Sequence, residues 1–467
     1  MKTTLPPPRR ADRGRTVLPA LAVALAWAAA TAFAAPAPLP PARDPRIGEL
    51  IDAVSAARIR ADVETLVGFG TRHTMSETES DTRGIGAARR WIEAEFRRIS
   101  AECGGCLEVF TQTSVVSGEP RIPEATEVVN VVAVLRGTVD PNRYVIMSGD
   151  VDSRVSDVMN ATADSPGAND NASGMAGAIE AARVLSRHRF PASIVLAGLS
   201  GEEQGLYGGR HMAEVAKAEG WRIEAVINND MIGNVAGVDG VIDNTSARVF
   251  SESPAAGTTA EELARMRFFG GEVDSPSRQL ARYIDRVADE HFRQLDVMMV
   301  YRLDRFGRGG HHRPFNDAGF PAVRLMETHE HYDRQHQDLR VEEGREYGDV
   351  LEGVDFDYAR KLTALNVATL ASLAWAPPPP EAVEISGAVQ PAATLHWQPP
   401  AGGPPPAGYK VYWRLTTSPT WDHWAWAGPD EREKTMDGLV IDNYYFGVAA
   451  VGADGHESPV VFPRPRR

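Results

Sequence analysis

Five short apolar runs, at residues 131–135, 144–147, 194–199, 225–227 and 322–325, recur along the first four-fifths of the chain. Each is too short for a buried helix and has the length of a strand covered on both faces. Between and around them, residues 85–99, 175–185, 280–292 and 358–373 place apolar side chains at helical spacing. Strands alternating with helices predict an α/β fold: a mixed, largely parallel central sheet sandwiched between helices.

The pattern changes after Pro377, Pro378, Pro379 and Pro380, a stiff extended linker. Residues 394–397, 408–413 and 444–448 are aromatic-rich alternating strands separated by turns, which predicts a small all-β sandwich. With Trp397 as an early core tryptophan, the strand from Tyr409 to Trp413 and the late strand at 444–451, this module resembles a fibronectin type III-like domain. The organisation expected is a signal peptide over 1–34, a linker over 35–45, a catalytic domain over 46–375, a proline linker over 376–381 and the sandwich over 382–467. Every candidate ligand precedes the linker, so a chain ending near Ala376 is expected to fold and to keep its chemistry. Trp421, Trp424 and Trp426 suit either a carbohydrate-binding face or an ordinary core and interface.

Lys2, Arg9, Arg10, Arg13 and Arg15 precede an apolar stretch at 17–30 and a small-x-small site at Ala32-Phe33-Ala34. This is the layout of a secretory signal peptide. The expected location is secreted or periplasmic, by bacterial-type export, with no membrane contact after cleavage. Loss of 1–34 removes five basic residues and one acidic one, moving the formal charge from −14 to −18. So acidic a surface argues against nucleic acid as a partner. The two cysteines, Cys103 and Cys106, are too few for a structural zinc site, and export favours a local disulfide between them.

Candidate chemistry sits at the strand ends. Glu202 and Glu203 stand side by side after the run at 194–199, where their mutual repulsion calls for a cation. Asp150 and Asp152 follow a second run, and Asp230 follows a third. Asp170 lies in the glycine-bounded loop Pro166-Gly167-Ala168-Asn169-Asp170-Asn171-Ala172-Ser173-Gly174, and His336 follows the run at 322–325. Open α/β sheets gather their sites beyond the carboxyl ends of the strands, so these residues can converge.

Three segments, Pro-Gly-Ala-Asn-Asp-Asn-Ala-Ser-Gly at 166–174, Gly-Glu-Glu-Gln-Gly-Leu-Tyr-Gly at 201–208 and Asn-Asp-Met-Ile-Gly at 229–233, closely resemble the motifs of the exported di-zinc aminopeptidases, in their order. The resemblance spans roughly residues 46–375. It implies the zinc exopeptidase fold and two zinc ions, with manganese or cobalt as substitutes. It also implies that Asp170 bridges the ions, that Glu203 and His336 complete one site, and that Asp150 and Asp230 complete the other. Glu202 would be the general base, Asp152 an orienting carboxylate, and the substrates peptides cleaved at their N-termini. The chemistry is consistent: paired cations about 3.5–4 Å apart acidify a shared water and polarise the scissile carbonyl, and a neighbouring carboxylate takes the proton.

The chain departs from the family pattern at three places. Asp150-Val151-Asp152 stands where His-x-Asp is usual, which shifts the donor set toward oxygen and harder metals such as manganese. His311-His312 replaces an Asp-His pair, leaving His312 as a pocket or structural residue. Gln335 occupies the place of a tyrosine, so Tyr332 becomes the candidate for oxyanion stabilisation, and His329 and His331 crowd the same loop. The altered Asp150 also admits a site that has lost one metal and is mononuclear or dead, and a rival reading, a non-catalytic binding or scaffold protein on the peptidase fold. The specificity pocket is expected from the insertion around 238–278.

Overall fold

In the computed structural model, which describes residues 39–466, the apolar runs build one eight-stranded sheet. Its strands are β1 (Leu107–Val116), β2 (Thr126–Leu135), β3 (Asp140–Asp150), β4 (Ala192–Leu199), β5 (Arg222–Asn229), β6 (Ser246–Phe250), β7 (Asp296–Val300) and β8 (Ala322–Glu327). They lie in the order β1-β2-β4-β3-β5-β8-β6-β7. The four central strands, β4, β3, β5 and β8, are mutually parallel. Antiparallel pairings join β1 to β2, β2 to β4 and β8 to β6. The mixed, largely parallel sheet of the sequence reading is therefore present. The segment read as a signal peptide lies outside the described residues.

Why the runs are continuously apolar is visible in where alternate residues go. In β2, Val131, Ala133 and Leu135 enter one core, whereas Val132 and Val134 enter another on the opposite face. β3 divides Val145 and Met147 from Tyr144 and Ile146 in the same way. Period-two alternation persists, but helices cover both faces, so no polar stripe is left. The helices are α1 (Arg46–Ala53), α2 (Ala56–Gly68), α3 (Gly84–Glu102), α4 (Ala172–Leu185), α5 (Glu202–Gly205), α6 (Tyr207–Ala218), α7 (Ala260–Met266), α8 (Pro276–His291), α9 (His312–Asp317) and α10 (Phe356–Trp375). The first core is closed mainly by α1 to α4, α8 and α10, the second by α6 and α9.

Helix α4 seats its first turn directly on the sheet. A Cβ on Gly174 would lie 2.1 Å from the Asn229 carbonyl oxygen, and one on Gly149 would lie 2.4 Å from the Gly174 carbonyl carbon. Only glycine permits that approach. The Asn171 side chain caps the helix by accepting from the Gly174 amide at 3.0 Å. The glycine-bounded loop is thereby pinned over the carboxyl edge of β3 and β5. Cys103 and Cys106 are joined as a disulfide between α3 and β1, as the sequence suggested.

Beyond a hairpin of β9 (Arg340–Glu342) and β10 (Arg345–Tyr347), the C-terminal strands form two small sheets. One contains β11 (Glu381–Ser386), β12 (Ala392–Gln398), β15 (Glu433–Asp437) and β17 (Arg464–Pro465); the other contains β13 (Gly408–Leu415), β14 (His423–Ala427) and β16 (Tyr444–Val451). Val383, Leu395, Trp397, Tyr409, Val411 and Phe446 fill the space between them. The tryptophans singled out in the sequence do not make one exposed face. Trp421 donates to Gln279 Oε1 at 3.0 Å and packs on Tyr412, whereas Trp424 is the exposed one.

The module, expected to aid stability while being dispensable for chemistry on small substrates, packs against α8. Buried Asp274 receives both Arg282 and, at 3.1 Å, Arg414. Arg286 pairs with Glu457 at 2.6 Å, and the Tyr283 hydroxyl donates to the Glu457 carbonyl at 2.9 Å. Asp44, read as part of a linker, pairs with His456 at 2.9 Å. Removing one partner of a buried ion pair costs about 3–5 kcal/mol because the other charge is left uncompensated. A chain ending at Ala376 is therefore expected to lose most of its stability. Its thermal unfolding, compared with the full chain, checks this; an unchanged midpoint would contradict it.

The outer part of α8 holds a pH-dependent weakness. Burial, reinforced by Asp289 and Asp296, pushes the Asp285 carboxyl up to about 7. The folded state thus holds a proton that the unfolded chain releases near pH 4, so stability falls as pH rises from about 4 to 7. Asp285→Asn should raise stability by about 2–4 kcal/mol at pH 8 and by little at pH 4. Denaturant unfolding at the two pH values measures the difference.

Candidate metal centre and cavity

The four parallel strand ends bring the predicted residues to one edge. β3 ends on Asp150, and Asp152 follows it. After β4, Gly201 adopts a left-handed conformation (φ 74°) that turns the chain into α5, at whose start Glu202 and Glu203 sit. Asp230 follows β5 directly, and β8 contributes Arg324 and Glu327. Asp152, the expected orienting carboxylate, faces the start of α5. Its oxygens accept from the amides of Glu202 at 3.2 Å and Glu203 at 3.1 Å and from the Thr74 hydroxyl at 2.9 Å.

Asp170, Glu203 and His336 each place one ligand atom within 4.8 Å of the other two. His336 Nε2 is 2.9 Å from both Asp170 Oδ2 and Glu203 Oε1. Burial opposes protonation of this imidazole, but the two carboxylates outweigh it and push His336 up to about 9. Two carboxylates and an imidazole converging on one point are a donor set that zinc accepts. Arg154 donates to His336 Nδ1 at 2.7 Å. Ligation through Nε2 needs the proton on Nδ1, so cation binding requires Arg154 to release that nitrogen.

Asp150 and Asp230 do not join that cluster. Among the described residues, neither belongs to a group of three ligand atoms within 4.8 Å. Asp150 Oδ2 accepts from Asn171 Nδ2 at 2.7 Å, and its Oδ1 lies 2.6 Å from His311 Nδ1 and 3.4 Å from Asn228 Nδ2. Asp230 Oδ2 lies 2.8 Å from Arg324 Nη2 in an ion pair whose angle is poor for a hydrogen bond. Burial and the neighbouring Asp152 push the Asp150 carboxyl well up; burial raises Asp230 too, against the opposing charge of Arg324.

Several supporting residues carry no motif. The Asp349 carboxylate accepts from the amides of Asn169, at 2.9 Å, and Asp170, at 2.7 Å. Glu327, wholly buried, accepts from Asn169 Nδ2 at 2.9 Å and from the Asn234 amide at 2.7 Å. Gln335 donates to Asp170 Oδ2 at 3.1 Å, so the residue in the tyrosine's place orients the bridging candidate. Only Gln335, beside a predicted ligand, was within reach of motif reading.

A cavity of about 760 Å³ opens at this edge, lined by Asp170, Glu202, Glu203, Asp230 and His336 together with a set of basic side chains. Glu202 is half-buried in its wall; burial and then the charges of Glu203, Asp230, Asp150 and Asp152 push its carboxyl well above the ordinary range. Two expectations need correction here, those for Tyr332 and the insertion, and that for His312 is narrowed to its structural alternative. Tyr332 is 57% exposed and does not line the cavity, because its turn faces solvent. His312 is fully buried with Nε2 2.7 Å from the Leu303 carbonyl, a structural contact rather than a substrate contact. No residue of 238–278 lines the cavity; α7 in that insertion borders a groove beside the C-terminal strands.

Comparison with known proteins identifies the family. Residues 130–350 match the profile of Peptidase family M28. A relative from Leptosphaeria maculans described as a probable zinc metalloprotease is 43% identical, over 91% of this chain and 98% of its own. Another so described, from Pyricularia oryzae, is also 43% identical, over 91% of this chain and 88% of its own. Among solved structures, Legionella pneumophila LapA aligns with a TM-score of 0.50 at 19% identity, covering 71% of this chain and 76% of that one, which speaks for the fold alone. Sharing its sequence with these relatives over nine-tenths of its length and carrying its charged residues at the same sheet edge as its motifs, this chain belongs to peptidase family M28.

Proposed function

We propose that the protein is an exported, zinc-dependent aminopeptidase that removes N-terminal residues from peptides. The observation that carries this reading is the convergence of Asp170, Glu203 and His336 beside Glu202 at a cavity. A divalent ion held by those three would polarise the scissile carbonyl and make water a better nucleophile. Glu202, facing the cavity with no ion-pair partner among the described residues, accepts the proton from the attacking water and passes it to the leaving amine. Asp152 fixes the backbone of Glu202 and Glu203, while Asp349 and Gln335 fix Asp170, so the proton acceptor and the ligands keep one geometry.

Residues 46–375 are read as the catalytic domain and 382–467 as a fibronectin type III-like module that braces α8. The basic n-region and apolar stretch within residues 1–34 support export. The two-ion count implied by the motifs is supported only by the presence of Asp150 and Asp230 at the same edge.

The test is a panel of aminoacyl amides against the same compounds with an acetylated amine. Free-amine substrates should be cleaved and the acetylated ones left intact. Equal cleavage of acetylated or internal bonds would contradict exopeptidase action.

A further inference from the structure

We propose that this centre holds one metal ion and that the Arg324 guanidinium serves as its permanent second cation. The inference rests on the reading of Asp170, Glu203 and His336 as the resident-ion site. Arg324 projects from β8 and is wholly buried. Its Nη2 lies 2.8 Å from Asp230 Oδ2, and its Nε donates to the Asp230 carbonyl. Its Nη1 reaches both oxygens of Asp304 at 3.2 Å and the Gly309 carbonyl at 2.8 Å. A guanidinium does not deprotonate in a protein, so this charge is fixed. A dication on the same Asp230 carboxylate would face it a few ångström away, and the two like charges would repel.

Asp150 completes the argument. It stands where the family pattern has a histidine, and it puts a carboxyl group where a neutral ring would be. Both its oxygens are already engaged by Asn171, His311 and Asn228. The arginine's charge acts on Asp230 most strongly and extends to Glu202 and Asp150. The extra carboxylate and the buried guanidinium therefore compensate each other at the edge where a second ion would bind. Removing Arg324 alone would leave Asp230 buried without its ion-pair partner, whereas Asp304 would keep Arg305 at 3.5 Å. Arg324 acts here as a positioning residue: it holds Asp230 and sets the field around Glu202 without touching substrate.

The decisive experiment is metal analysis of the full-length protein after dialysis against excess zinc and then against metal-free buffer. One zinc per chain is expected. Two would overturn the inference, and none would overturn it together with the reading of the resident-ion site. His336→Ala should then lose the single ion; an ion retained in that variant would sit elsewhere and contradict the assignment. In the other direction, Arg324→Met combined with Asp150→His supplies a neutral ring and removes the fixed charge, so zinc content should double. A folded double variant that stays at one zinc would overturn the role given to Arg324. Should that variant fail to fold, a cobalt titration of the wild-type protein followed by its visible absorption decides alone. An end point at one equivalent supports the inference and an end point at two overturns it.

Discussion

Glu202→Gln is expected to lower turnover by at least about 10²-fold while leaving the fold and the bound metal in place. The amide keeps the size of the carboxylate but cannot accept the water's proton. Glu202 lines the cavity, whereas its neighbour Glu203 is committed to His336 at 2.9 Å and to Arg154 at 3.0 Å. The two adjacent glutamates thus have separate duties, and only one is free to move a proton. The change also removes one negative charge from a cluster that includes Asp150, Asp152, Asp230 and Glu203, so stability should hold or rise slightly. Steady-state kinetics with metal content measured on the same sample check the prediction. Near-normal turnover would assign the base elsewhere.

His336→Ala should have an effect at least as large, through the metal rather than the proton. Removal of an outer partner of a metal ligand already costs about 10–100-fold in affinity, so removal of the ligand itself should exceed about 100-fold. Asp170 and Glu203 would then face each other without the imidazole that now bridges them at 2.9 Å. The variant is expected to lose zinc on dialysis and to show no measurable hydrolysis. Excess zinc in the assay should restore part of the rate, which separates weakened binding from misfolding.

The core sheet was legible in the sequence because its strands are buried on both faces. Runs such as 194–199 have no polar position to blur them. β6 and β7 were not legible: β7 has exposed Met298 and half-buried Met299 and Val300, a pattern that does not separate strand from loop. Motif residues Asp170, Glu202 and Glu203 are fixed by a strand end or a glycine-pinned loop, and His336 reaches Asp170 and Glu203 from the loop after β8. What sequence could not show was the occupancy of Asp150 and Asp230. Arg324 is one arginine among many, and only the register of β8 against β5 places it beneath Asp230. The contacts of the C-terminal module with α8 were not legible for a similar reason. A proline linker marks a change of composition, but the ion pairs Arg286–Glu457 and Arg414–Asp274 are made across it.

The most direct test of a zinc-dependent peptidase centred on Asp170, Glu203 and His336 is a metal add-back titration. Protein stripped with a chelator and freed of it should hydrolyse no aminoacyl amide. On stepwise addition of zinc, the rate should rise in proportion to the zinc bound and level off when the high-affinity site is full. Full hydrolysis by the stripped protein, at a rate indifferent to added zinc, would contradict the account.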